Sequence, residues 1–204
     1  MKIKNSIYSK RKAKARTTDT PFRKIRPFKI REVDPILAEI KIRRRDDPIR
    51  TALINYIIIR CVTVFESFML NSVGAIVDSN KEKALKLFKD TPRKGIPLSH
   101  QIVSMYNFAD IRIVNDVMTK LLGFDFLDAI KQESVKYYNS YYLEKEQVKG
   151  TKALHKNWDN ILKIFDYRNE IVHHDRQFHF NYRDIRNLVG GTIQFTLCSI
   201  LIVK

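Results

Sequence analysis

The 204-residue sequence predicts an all-α protein, and three observations carry the prediction. Apolar residues recur at helical spacing, most clearly at Ile58, Val62, Phe65, Met69, Val73 and Ile76. Capping residues and prolines mark helix starts, as at Asp34-Pro35 and at Asn181 with Asp184. The body shows no alternating strand pattern of useful length and no internal repeat. With 44% hydrophobic residues the chain can bury a genuine core as one domain with an appendage, which excludes disorder throughout.

The appendage is basic. Residues 1–31 hold seven lysines and five arginines against one acid, Asp19, a net of +11 that leaves +5 of the total +16 for the remaining 173 residues. A basic N-terminal arm, residues 1–33, is therefore expected. Lys10, Arg11, Lys12, Lys14 and Arg16 are its candidate substrate-binding residues, gathering polyphosphate by counterion release and steering it toward the body. A solvated tail is the competing reading. Before Phe22 the apolar residues are too sparse for a membrane-surface helix, and no membrane partner is expected.

Residues 34–47 read as a short helix and charged linker. Asp34 is its N-cap, Pro35 its first position, and Ile36, Leu37 and Ile40 its apolar face before the run Arg43 to Asp47. Residues 48–204 form the main helical domain. Its first helix spans Ile49 to about Asp78, with Glu66 on the flank of the apolar face. The stretch TPRKGIPLSH is a loop. Helices are expected over Ser99–Leu122 and Phe126–Glu146, inside a longer region around 80–150 that ends near Gly150. Tyr137, Tyr138, Tyr141 and Tyr142 form two aromatic rungs at a spacing of four, suited to packing or to stacking bases. A helix follows from about Lys152 to Glu170 or Ile171, and a last one from Tyr182 to Val203, capped by Asn181 and Asp184.

Several chemistries lack their residues. Cys61 and Cys198 lie in apolar runs without a CxxC pair and read as buried thiols in a reducing, cytoplasmic setting. No apolar core follows Met-Lys-Ile-Lys, so no secretory leader is expected. The apolar runs Ile54–Phe65 and Leu188–Val203 read as core helices, short of the roughly 20 residues that cross a bilayer. Walker, Rossmann, GxSxG and HExxH patterns are missing, and no cofactor is expected.

One residue is out of character. On a helical wheel Leu154, Trp158, Ile161 and Phe165 form a stripe, and Arg168 occupies its next position. A permanently charged guanidinium there needs either a cleft or a buried carboxylate opposite. Arg168 and His173, five residues apart, fall about 140° out of line on an unbroken helix. If the helix ends near Val172, the imidazole can swing back over the guanidinium.

RNEIVH, Arg168 to His173, resembles the R-(N/D/H)-x(2–4)-H signature of HEPN domains, and Glu66 resembles the acidic residue that often accompanies it. The resemblance covers residues 48–204 and implies an antiparallel helical bundle of HEPN type. It implies a metal-independent endoribonuclease, commonly a toxin or antiviral defence effector, acting as a homodimer on RNA, with an antitoxin or defence-system partner protein. Arg168 would hold the scissile phosphate, His173 would move a proton, Asn169 would orient the pair, Glu66 would partner Arg168, and His174 would contact substrate. A purely structural ion pair of Arg168 with Glu66 or Asp166 is the bland alternative. A non-catalytic HEPN-like module binding RNA or a protein is another. His174, Asp175 and His179 lack a fourth metal ligand, while His100 and His155 read as surface or helix-end histidines.

Overall fold

A computed structural model of the chain describes residues 25, 27–85, 94–132 and 158–203, and every described regular element is helical. The helices are α1 (Asp34–Ile42), α2 (Pro48–Ser79), α3 (Lys81–Leu85), α4 (Leu98–Met105), α5 (Ile111–Leu122), α6 (126–132), α7 (Trp158–His174) and α8 (Tyr182–Val203). The arm residues Lys10 to Arg16, the tyrosine rungs, Leu154 and His155 lie outside the described residues.

The helical path does not begin at Asp34. A π-helical turn, Lys29–Val33, runs directly into α1, and the Asp34 carboxylate is held by Lys29 Nζ at 2.9 Å rather than capping a new helix. Pro35 explains the wider turn. Its ring crowds the carbonyl four residues back, and a π-turn moves that carbonyl aside. Ile25, Phe28 and Val33 are buried in the same core as Leu37 and Ile40, so this end of the expected arm is part of the domain.

Between α1 and α2 the charged run makes a corner. Arg43 bridges Glu39 at 3.2 Å and Asp47 at 2.9 Å, and Asp47 also caps α2 by accepting from the Ile49 N–H. Hydrogen bonding to Arg43 holds the Asp47 carboxyl below its ordinary value. The expected helix over 99–122 is interrupted at Tyr106–Asp110. There Asn107 accepts from the Ala109 N–H, Asp110 caps α5 through the Arg112 N–H, and Phe108 is buried as a plug.

The core is organised by α2, α7 and α8. The rings of Phe65, Phe165 and Phe195, one from each helix, meet with centroids 5.2, 5.3 and 6.3 Å apart, and Trp158 packs against Phe195 with its ring tilted, centroids 5.6 Å apart. Each fully buried phenylalanine contributes on the order of 2–3 kcal/mol by leaving water. Thr192, Thr196 and Ser199 return their hydroxyls to the carbonyls four residues back, so α8 buries these polar atoms without a charge. At 32 and 22 residues, α2 and α8 are long and apolar enough to cross a membrane by length and composition. The expectation from the shorter apolar runs missed this because the helices extend beyond them. Here the two helices pack on each other and on α7 through the three rings.

Cys61 and Cys198 are buried and form no disulfide with each other. Burial pushes the Cys61 thiol up to about 12. Because its folded value is raised, the associated stability is complete below the ordinary thiol value and is lost as pH climbs through the folded one. Cys61→Ala should therefore flatten the decline of stability between about pH 9 and 12. Denaturant titrations across that range check this; equal slopes for both proteins refute it.

The two neighbouring glycines of α8 differ in their surroundings. A Cβ on Gly191 would stand 2.6 Å from Ile161 Cδ1, whereas one on Gly190 would meet nothing within 4 Å. Gly190→Ala should stabilise the helix by about 0.5–1 kcal/mol. Gly191→Ala should destabilise by about 1–3 kcal/mol through overpacking, with partial recovery when Ile161 is shortened to Val. Urea unfolding of the three variants against wild type measures all of it.

Candidate active site

The site begins with the way α7 lies along α2. Phe165 faces Phe65, and further along α7 and its following segment the partners on α2 have lower numbers. Asn55 clasps residues 176 and 178, Thr51 meets His179 at 3.1 Å, and Arg50 donates to the Phe180 carbonyl at 2.7 Å. In that register Arg168 is about level with Val62, while Glu66 is about level with Ile164. The four-residue offset corresponds to roughly 6 Å along the helix axes.

The expected pairing of Arg168 with Glu66 is not formed. Glu66 is half-buried and Asp166 is exposed, and neither makes an ion pair among the described residues. The Arg168 Nη1 donates instead to Asn169 Oδ1 at 3.0 Å, and its Nε is buried without a partner. The structural ion pair therefore fails on both of its proposed carboxylates. Arg168 does sit at the edge of the core, half-buried beyond Ile161 and Phe165.

The second correction concerns the end of α7. The helix continues through His174 rather than stopping at Glu170 or Ile171, and the backbone turns only at Asp175, whose φ of 48° is left-handed. The Arg176 N–H then bonds back to the Glu170 carbonyl at 3.3 Å, and its guanidinium pairs with the Glu170 carboxylate. His173 thus stays on the same straight helix as Arg168 and is exposed, and the imidazole does not fold back over the guanidinium. Asn169 partly closes the separation. It lies four residues before His173, hence on the same helix face, and its Oδ1 draws the Arg168 guanidinium toward that face. His174 is exposed beside it, at the helix end.

The segment 175–181 is held by packing. Tyr167, Phe178 and Phe180 form an aromatic cluster with centroids 4.8, 5.4 and 5.8 Å apart, and Arg176 lies 5.4 Å over the Phe178 ring. Asn55 adds a two-point clasp, donating to the Arg176 carbonyl at 3.0 Å and accepting from the Phe178 N–H at 3.3 Å. Arg50 is 4% exposed, its guanidinium donates to the Ile40 and Phe180 carbonyls, and it makes no ion pair among the described residues. His179 is turned to Thr51, and among the described residues no group of three His, Cys, Asp or Glu is placed to hold a metal ion.

Arg50, Thr51 and Asn55 were missed by sequence reasoning. Their signal was present in IRTALINYIII, where Arg50 and Asn55 interrupt an otherwise apolar helix as Arg168 interrupts its own. Neither a family model, nor a curated protein, nor a solved structure matches the chain.

Asn55→Ala should release the segment after α7 while leaving the core intact. The loss of two partly exposed hydrogen bonds should cost about 1–2 kcal/mol. Faster amide exchange at Phe178 in the variant checks the clasp, and unchanged exchange there would refute it.

Proposed function

We propose that the chain is a metal-independent endoribonuclease of the HEPN kind, built as an antiparallel helical bundle and acting as a homodimer in the cytoplasm as a toxin or defence effector. One observation carries this reading: the Arg168 guanidinium is half-buried and donates to Asn169, and among the described residues no carboxylate pairs with it. A fixed guanidinium of this kind is suited to a phosphate, whose charge it meets through its planar fork.

The reaction needs no nucleophile from the protein. The substrate's 2′-hydroxyl attacks the adjacent phosphorus, the 5′-oxygen leaves, and a 2′,3′-cyclic phosphate remains. His173, exposed at the end of α7, takes the hydroxyl proton or delivers one to the leaving oxygen. Arg168 stabilises the extra negative charge of the pentacoordinate phosphorus. Asn169 holds Arg168 toward the His173 face. Glu66, on the neighbouring helix, adjusts the position of substrate or of Arg168 in the working state, and His174 extends the contact with RNA. A second copy related by a two-fold axis would supply a second Arg–His pair, so that acid and base stand on opposite sides of the phosphate. An antitoxin or defence partner would restrain the activity in the cell.

The 140° between Arg168 and His173 favours a second reading, a non-catalytic module that binds RNA or a protein partner through Arg168 without cleaving. Kinetics separate the two. His173→Ala should lower RNA cleavage by about 10²–10⁴-fold and Arg168→Ala by about 10²–10³-fold, each with unchanged helical content. Wild-type cleavage should survive excess EDTA, leave 2′,3′-cyclic ends and fail on a substrate with 2′-deoxyribose at the scissile nucleotide. Activity abolished by EDTA, or retained by both folded variants, would overturn the catalytic assignment.

A further inference from the structure

A second cationic surface lies at the corner where α1 ends and α8 begins, apart from Arg168 and from the N-terminal arm. Two contacts join these segments. Arg50 ties the Ile40 carbonyl to the Phe180 carbonyl, and Lys41 Nζ lies 6.0 Å over the Tyr182 ring. The exposed cations Lys41, Arg44 and Arg45 on one side thus adjoin Arg183 and Arg186 on the other.

The acids of this corner are already engaged elsewhere. Glu39 and Asp47 are taken by Arg43, and Asp184 receives the Asn181 side chain at the start of α8. Asp46 reaches only Arg44, at 4.0 Å with both side chains largely in solvent, a pair of negligible strength. Arg45, Arg183 and Arg186 make no ion pair. Beneath them Arg50 is a buried cation without a carboxylate, and its Nη1 has no partner. The N-termini of α2 and α8 open at the same corner and add positive potential. The cations of the corner outnumber its acids, and Asn181, a neutral amide, leaves the charge of Asp184 in place, so the corner keeps a net positive field of reduced strength.

We infer that this corner is a phosphate-tracking platform for single-stranded RNA, with Tyr182 as its aromatic element and Lys41, Arg45, Arg183 and Arg186 as its backbone contacts. His173 and His174 end α7 seven residues before Asn181 caps α8, so RNA laid across the corner continues toward the candidate active site. The inference rests on the ribonuclease reading only in its choice of RNA as the polyanion.

The test removes three exposed charges at a time from the full chain. Arg45→Gln/Arg183→Gln/Arg186→Gln alters the platform, and Lys94→Gln/Lys120→Gln/Lys163→Gln is a control of equal charge at exposed positions elsewhere. Binding of a fluorescent single-stranded RNA is measured against salt. The platform variant should bind roughly tenfold more weakly at low salt and lose about 2 from the slope of log K against log salt, while the control changes little. Equal losses in the platform and control variants, or an unchanged salt slope, would overturn the platform. So would a platform variant that loses binding to phosphatidylserine vesicles but keeps its RNA affinity. If wild type binds RNA through the platform but never cleaves it, the ribonuclease reading fails and the platform stands.

Discussion

The contact between Phe65 and Phe165 fixes the register of α7 on α2, and most of what distinguishes this molecule depends on that register. A helix cannot slide by one residue against a packed ring without exposing its apolar stripe, so the position of every polar group on α7 follows from where its phenylalanine lodges. Arg168 falls one turn past the ring, at the edge of the core. Glu66 falls on the other side of the same contact. The aromatic packing that stabilises the bundle therefore also keeps the guanidinium away from the carboxylate that would otherwise neutralise it.

Stability and reactivity are divided between the two ends of α7. Toward its start Trp158, Ile161 and Phe165 are sealed against α8, where Gly191 lets the backbone approach Ile161 closely. Toward its end the residues are progressively exposed, from half-buried Arg168 to fully exposed His173 and His174. A rigid half anchors a wet half, the arrangement in which charged groups keep access to solvent and substrate without loss of position.

The sequence made the helical class, the length of α2 and the span and cap of α8 legible, because each carries strong periodicity or a capping residue. It also flagged Arg168, since a charge in an apolar stripe can be seen on a wheel. What it could not convey was tertiary register. The Arg168–Glu66 pair was reasonable by residue type, but the side-chain directions that bring Arg168 to Asn169 instead are set by packing. The end of α7 was placed too early because His173-His174 has weak helix propensity, while the Arg176–Glu170 bridge and the Phe178 and Phe180 anchors stabilise an extra turn. The break at Tyr106–Asp110 was hidden in a run with no glycine or proline, where Asn107 and Asp110 form the turn through their side chains. Arg50 was passed over because a single arginine near a helix start ordinarily points to water.

Arg50, Thr51 and Asn55 meet their partners across 121 to 130 residues of intervening chain. Contacts of such long sequence separation form late, since the entropy of closing the loop must be met before they yield anything. During synthesis α2 leaves the ribosome long before residues 176–180 exist, and it waits with its clasp empty. The segment following His173 can be set in place only after α2 and the intervening residues have been made, so this side of the candidate active site is completed long after α2 has formed.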